Sequence, residues 1–109
     1  MVNMRMWGVP TANMCRKHLL GEHVEMHMFV GAINKNKNIQ GYIEKGLVNV
    51  QEIISRHDIL AKEMIKRGYK HTSPLQNFKI DLVVTGEINV KENQEELNNR
   101  CEICRSMYG

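Results

Sequence analysis

The chain has 109 residues, 42% of them hydrophobic, which suits one compact domain and is enough for a core without any disulfide. No stretch approaches the roughly eighteen apolar residues of a membrane span, and the N-terminus lacks an apolar segment of signal-peptide length, so no membrane partner is expected. Three cysteines and eight methionines favour a reducing cytoplasm, and a formal charge of +3 is compatible with nucleic acid without requiring it.

Met1 to Pro10 reads as an extended arm ending in a turn, anchored on the body by Trp7 and Val9. Thr11 follows as N-cap of a helix from about Ala12 to Ile33. In that helix Leu19, Met26, Phe29, Val30 and Ile33 recur at helical spacing. Gly21 and Gly31 interrupt it, and glycine inside a helix often marks the close approach of another element. Asn34 to Asn38 is a polar, basic loop. A short helix is predicted over Gln40 to Lys45, closed by Gly46. The clearest helix runs from about Asn49 to Arg67. Its stripe is Val50, Ile54, His57, Ala61 and Met64, widened by Ile53 and Leu60. Lys66 and Arg67 suit its carbonyl end, and Gly68 its C-cap. His71 to Val84 contains Pro74 and has no helical period. Asp81 to Thr85 has strand character without a partner strand, so the segment reads as an ordered loop. A last helix is predicted from about Val90 to Tyr108, with Val90, Leu97, Cys101, Cys104 and Tyr108 on one stripe. The expected class is all-α: a single compact domain of three main helices with an extended N-terminal arm.

The chemistry concentrates between His18 and Met28, where three histidines and two glutamates fall within eleven residues. At about 100° per residue, His18, Glu22 and Glu25 lie within roughly 60° of one another. A solvated helix face is the plain reading. Leu19, Met26 and Phe29 flank the stripe, however, and set both acids at the edge of the core. Desolvation there raises a carboxyl pKa and makes a glutamate a useful acid or base near neutrality. His23 and His27 face the other way. An i, i+4 histidine pair can bind a metal, but the zinc-protease pattern places Glu directly after the first histidine, and two exposed histidines are expected here. Cys101-x-x-Cys104 reads as buried free cysteines on an apolar stripe. Joined by Cys15-x-x-His18, the same residues supply four ligands for a tetrahedral zinc. That is the alternative to the expectation of no metal and no cofactor. Arg5, Arg16, Lys17, Lys35 and Lys37 are scattered along the chain as ordinary surface charge or, alternatively, a phosphate-contacting rim.

Three blocks carry a resemblance. They are His18-Leu-Leu-Gly-Glu22-His-Val-Glu25 followed by Phe29-Val-Gly31-Ala32, then Glu63-Met-Ile-Lys-Arg67-Gly68-Tyr69, then Ile88 to Arg100 with the closing Tyr108-Gly109. In order and spacing the chain resembles the pyrimidine-dimer DNA glycosylase/AP lyase family (phage endonuclease V-like). The resemblance implies one all-α domain with the N-terminal arm threaded among three helices. It also implies DNA repair chemistry on double-stranded DNA with a damaged or modified base. An N-terminal α-amine attacks C1′, an imine forms, the base leaves, and β-elimination cuts the strand. An α-amine with pKa near 8 is about 10% neutral at pH 7, against about 0.04% for an ordinary lysine. The resemblance makes Glu25 the catalytic acid, with His18 and Glu22 upstream on its helix and Arg5 just after the nucleophile. The family's offset puts the nucleophile at Met4. If the terminus is instead Val2, its amine starts up to about 7 Å farther out along extended chain. Val24 and Met28 stand where the family has arginines that hold DNA. The competing expectation is a non-catalytic DNA-binding or protein-interaction module on the same scaffold.

Overall fold

The computed structural model describes residues 4–70, 74–76, 78 and 86–109. Val2 and the Asp81 to Thr85 segment lie outside the described residues. The described chain is all helical, in five α-helices and two short 3-10 turns. The helices are α1 (Arg16–Asn34), α2 (Gln40–Glu44), α3 (Ile53–Lys66), α4 (Val90–Arg100) and α5 (Glu102–Tyr108). The radius of gyration, 13.7 Å, is that of one compact domain of this length. No helix among the described residues is long and apolar enough to cross a membrane.

Helix α1 packs along α3. It buries Leu19, Met26, Phe29 and Val30 as its spacing predicts, with Ile33 half-buried at the margin. The arm is the element that positions the site. Met4, Met6, Trp7 and Val9 are all core residues. The Met6 amide donates to the Leu47 carbonyl at 2.7 Å, and the Asn93 side chain donates to the Trp7 carbonyl at 2.8 Å. Gly8 turns the arm at φ 70°, where a side chain is strained, and a Cβ there would collide with the end of the Ile88 side chain.

Several boundaries move for physical reasons. Helix α1 starts at Arg16 rather than Ala12 because Thr11–Asn13 form a 3-10 turn and the fully buried Met14 carries the chain inward in extended backbone. Cys15 is the N-cap; the Thr11 hydroxyl reaches Glu63 at 3.3 Å instead. Arg67, beyond the end of α3, donates to the carbonyls of Thr11 (2.9 Å) and Met14 (2.8 Å) and so holds that turn in place. The long helix begins at Ile53, after a 3-10 turn over Val50–Glu52. Its buried face is Ile53, Arg56, His57, Leu60, Ala61 and Met64, while Ile54 is exposed. The last helix is two: extended backbone at Cys101 ends α4 and caps α5, so Val90 and Tyr108 are both exposed. Gly21 and Gly31 do not admit another element, since a Cβ at either would meet nothing within 4 Å.

Candidate active site

A cleft of about 400 Å³ opens between the arm and α1. Its walls include Met4, Arg5, His18, Gly21, Glu22 and Glu25, and Lys17, Lys45 and Arg100 add positive charge. The stripe read from helical spacing therefore does face a concavity. A neutral base or sugar fits such a volume.

The two acids on the stripe are not equivalent. Glu22 is fully buried and held in a bidentate fork by Arg56, with Nε to Oε2 at 2.6 Å and Nη2 to Oε1 at 2.9 Å. The same Oε2 accepts from the Gly8 amide at 3.4 Å. Glu22 is thus tied to both α3 and the arm. Glu25, one turn on, is half-buried. Desolvation, and then the Glu22 charge, push its carboxyl up to about 7, while the Arg5 amide and guanidinium pull the other way. A carboxyl with that pKa exchanges protons readily at neutral pH. The Arg5 amide at Glu25 also places the Met4–Arg5 peptide beside the acid.

Arg5 stacks over Trp7 at 3.9 Å, donates to Asn93 at 2.6 Å and pairs with Glu96 at 2.5 Å. Its Nε has no partner among the described residues. His18 is half-buried, and burial, then Lys17 and Arg100, hold its imidazole below the ordinary pKa. Its Nδ1 is turned to sulfur, 3.1 Å from Cys15 Sγ and 3.6 Å from Cys104 Sγ.

His23 and His27 are not exposed, contrary to the expectation from sequence. They meet His57 of α3 in a cluster, with ring centroids 4.7 to 4.9 Å apart and His23 Nε2 3.2 Å from His57 Nε2. His57 Nδ1 lies 3.0 Å from Asp58. The three rings present one ligand atom each within 4.8 Å of one another, a metal-capable group that pair spacing on α1 alone did not reveal.

Of the basic candidates, Arg5 and Lys17 line the cleft, whereas Lys35 and Lys37 line a neighbouring concavity with Met28, Ile39 and Tyr42. Met4 belongs to both walls and joins the two. Arg16 lies away from the cleft, with its guanidinium 5.1 Å over the Tyr69 ring. Val24 and Met28 are exposed on α1.

A family model described as pyrimidine dimer DNA glycosylase matches residues 4–77. The chain belongs to the pyrimidine dimer DNA glycosylase family. No curated protein and no solved structure matches it. The family match begins at Met4 and takes in the arm, the His18–Glu25 stripe and all of α3. In this pyrimidine dimer DNA glycosylase relative, the residues that sequence reasoning missed are Arg56 and Lys45. Arg56 did carry a signal. It sits three residues after Ile53 and four before Leu60, so the buried face of α3 has an arginine in it, which calls for a buried acid. Lys45 carried none, because only the fold of the α2 turn brings it to the cleft.

Gly21 provides a direct check on the cleft. Gly21→Ala replaces a mid-helix glycine and adds a methyl to a wall with open space in front of it. It should stabilise the protein by about 0.5–1 kcal/mol while lowering any reaction that needs a sugar in the cleft. Unfolding curves and DNA assays on one preparation check both halves.

Proposed function

We propose that the protein is a DNA glycosylase with AP lyase activity, acting on double-stranded DNA that carries a damaged or modified base. The reading rests on one observation: the Met4–Arg5 backbone runs beside a glutamate of pKa about 7 inside a cleft with a cationic wall. Membership of the family supports the substrate class.

The reacting amine is assigned to a chain form that begins at Met4. Its nitrogen attacks C1′ of a nucleotide flipped from the duplex, since C1′ is inaccessible within the stack. The bond from C1′ to the base breaks and the base leaves with one amine proton; the C1′–O4′ bond then breaks, O4′ takes the second amine proton, and an imine joins Met4 to the opened sugar. Glu25 stabilises the cationic sugar as it forms. Its carboxylate then takes the proton from C2′, and the 3′ phosphate departs by β-elimination. Glu22, locked by Arg56, positions the arm. His18 forms part of the wall. Lys17 and Lys45 on one side, and Lys35 and Lys37 on the other, meet phosphates flanking the flipped nucleotide.

Borohydride trapping on an abasic-site oligonucleotide tests this. A chain beginning at Met4 should give a covalent adduct, and acetylation of its terminal amine should abolish it. The second reading, a non-catalytic DNA-binding or protein-interaction module, draws on Val24 and Met28, exposed apolar residues on the same helix. Salt-sensitive DNA binding with no adduct in either chain form would favour that reading.

A further inference from the structure

Helix α5 poses a packing problem. It has seven residues, of which only Cys104 is buried, and Ile103, Met107 and Tyr108 are exposed. A helix this short is not stable by itself, and one buried thiol gives it little hydrophobic anchorage. What it does have is a set of sulfur contacts to the start of α1. Cys15 is the N-cap of α1 and His18 is its third residue; Cys101 is the N-cap of α5 and Cys104 is its third residue. The two helix starts face each other through these four side chains.

From this geometry we propose that Cys15, His18, Cys101 and Cys104 form a zinc site that fastens α5 to α1. One ligand atom from each lies within 4.8 Å of all the others. Cys15 Sγ is 3.9 Å from Cys101 Sγ and 3.1 Å from His18 Nδ1, and Cys104 Sγ is 3.6 Å from the same nitrogen. A tetrahedral zinc with three sulfurs and one nitrogen has S–S edges of about 3.8 Å and S–N edges of about 3.6 Å. The three cysteines are free, so no disulfide competes for the sulfurs. Backbone amides already point at two of them, Cys15 N to Cys104 Sγ at 3.2 Å and Cys104 N to Cys101 Sγ at 3.5 Å. Amides so placed suit thiolates and orient them as outer-shell donors. On binding, the thiols release their protons to water and His18 ligates as neutral imidazole through Nδ1. The complex carries one net negative charge, and Lys17 and Arg100 share the cleft wall with His18. The site is independent of the DNA chemistry, although it fixes one wall of the cleft.

The test is anaerobic cobalt titration of the full chain, reduced and stripped of metal. Sulfur-to-cobalt charge transfer should appear in the near ultraviolet, saturate at about one ion per chain, and vanish when zinc is added. Cys104→Ser should weaken the metal by more than about tenfold, because even loss of an outer-shell partner costs that much. Cys101→Ser, at a less buried ligand, gives the same readout if Cys104→Ser does not fold. His57→Gln, in the separate imidazole cluster, should leave the band intact. Absence of the band from the wild-type chain, or its survival in both cysteine variants, overturns the proposal.

Discussion

Glu25→Gln should lower adduct formation by about 10²–10⁴-fold, the usual contribution of a positioned proton-transfer group, while leaving the protein folded. The amide keeps the shape of the side chain and loses only its ability to ionise. The pH dependence separates this from a trivial loss of structure. The Glu25 carboxyl is pushed up to about 7 in the folded protein, chiefly by desolvation and then by Glu22. Its folded value therefore lies above its unfolded one. The stability it contributes is fully present below the unfolded pKa, about 4.5, and is lost as the pH rises through about 7. Glutamine is never ionised and escapes that loss. The variant should match the wild type in thermal stability at pH 4 and exceed it at pH 8. In the proposed mechanism catalysis has the opposite dependence, since there the carboxylate is the active form. Wild-type trapping should climb across pH 6 to 8, and the variant should retain only the rise that belongs to the amine, near pH 8. Equal pH profiles for the two proteins would remove Glu25 from the chemistry.

Arg56→Met is the substitution with the largest expected effect on stability. It strands the Glu22 carboxylate, fully buried, without its bidentate partner. Breaking a buried pair from one side costs about 3–5 kcal/mol. At about 4 °C or more per kcal/mol for a domain of this size, the melting temperature should fall by at least about 12 °C. Adding Glu22→Gln to Arg56→Met removes the orphaned charge and should recover much of the loss. Denaturant unfolding of the two single variants and the double variant measures the coupling. A cost under about 1 kcal/mol for Arg56→Met is the behaviour of an exposed pair and would mean that water reaches Glu22. Because Glu22 also accepts from the Gly8 amide, the same variant should loosen the arm and depress trapping more than its stability loss accounts for.

The helical period made α1 and α3 legible, and it brought His18, Glu22 and Glu25 to one face. The Pro10-Thr11 pair imitates a helix start closely enough to misplace it by four residues. Only the need to bury Met14 explains the true start at Arg16. Period alone also treated Glu22 and Glu25 alike. What divides them is Arg56, 34 residues from Glu22, which holds that acid in a buried fork and leaves Glu25 without one. The histidines were misread for a related reason. Helix α1 is covered by the arm on one face and by α3 on another, so the side opposite the acidic stripe is an interface too. Cys101 looked like the middle of one long helix because its spacing to Leu97 and Cys104 is helical. The break there turns Cys104 towards Cys15, a contact across 89 residues that local pattern does not encode.

Among the described residues, the proposed mechanism offers the sugar three candidate amines at this cleft: the α-amine of a chain starting at Met4, and the side chains of Lys17 and Lys45. Fragmenting the borohydride-trapped adduct in a mass spectrometer reads which one carries the sugar. The added mass should sit on the α-nitrogen of Met4. An adduct on either lysine, with the Met4 nitrogen unmodified, would contradict the placement of the chain terminus beside Glu25.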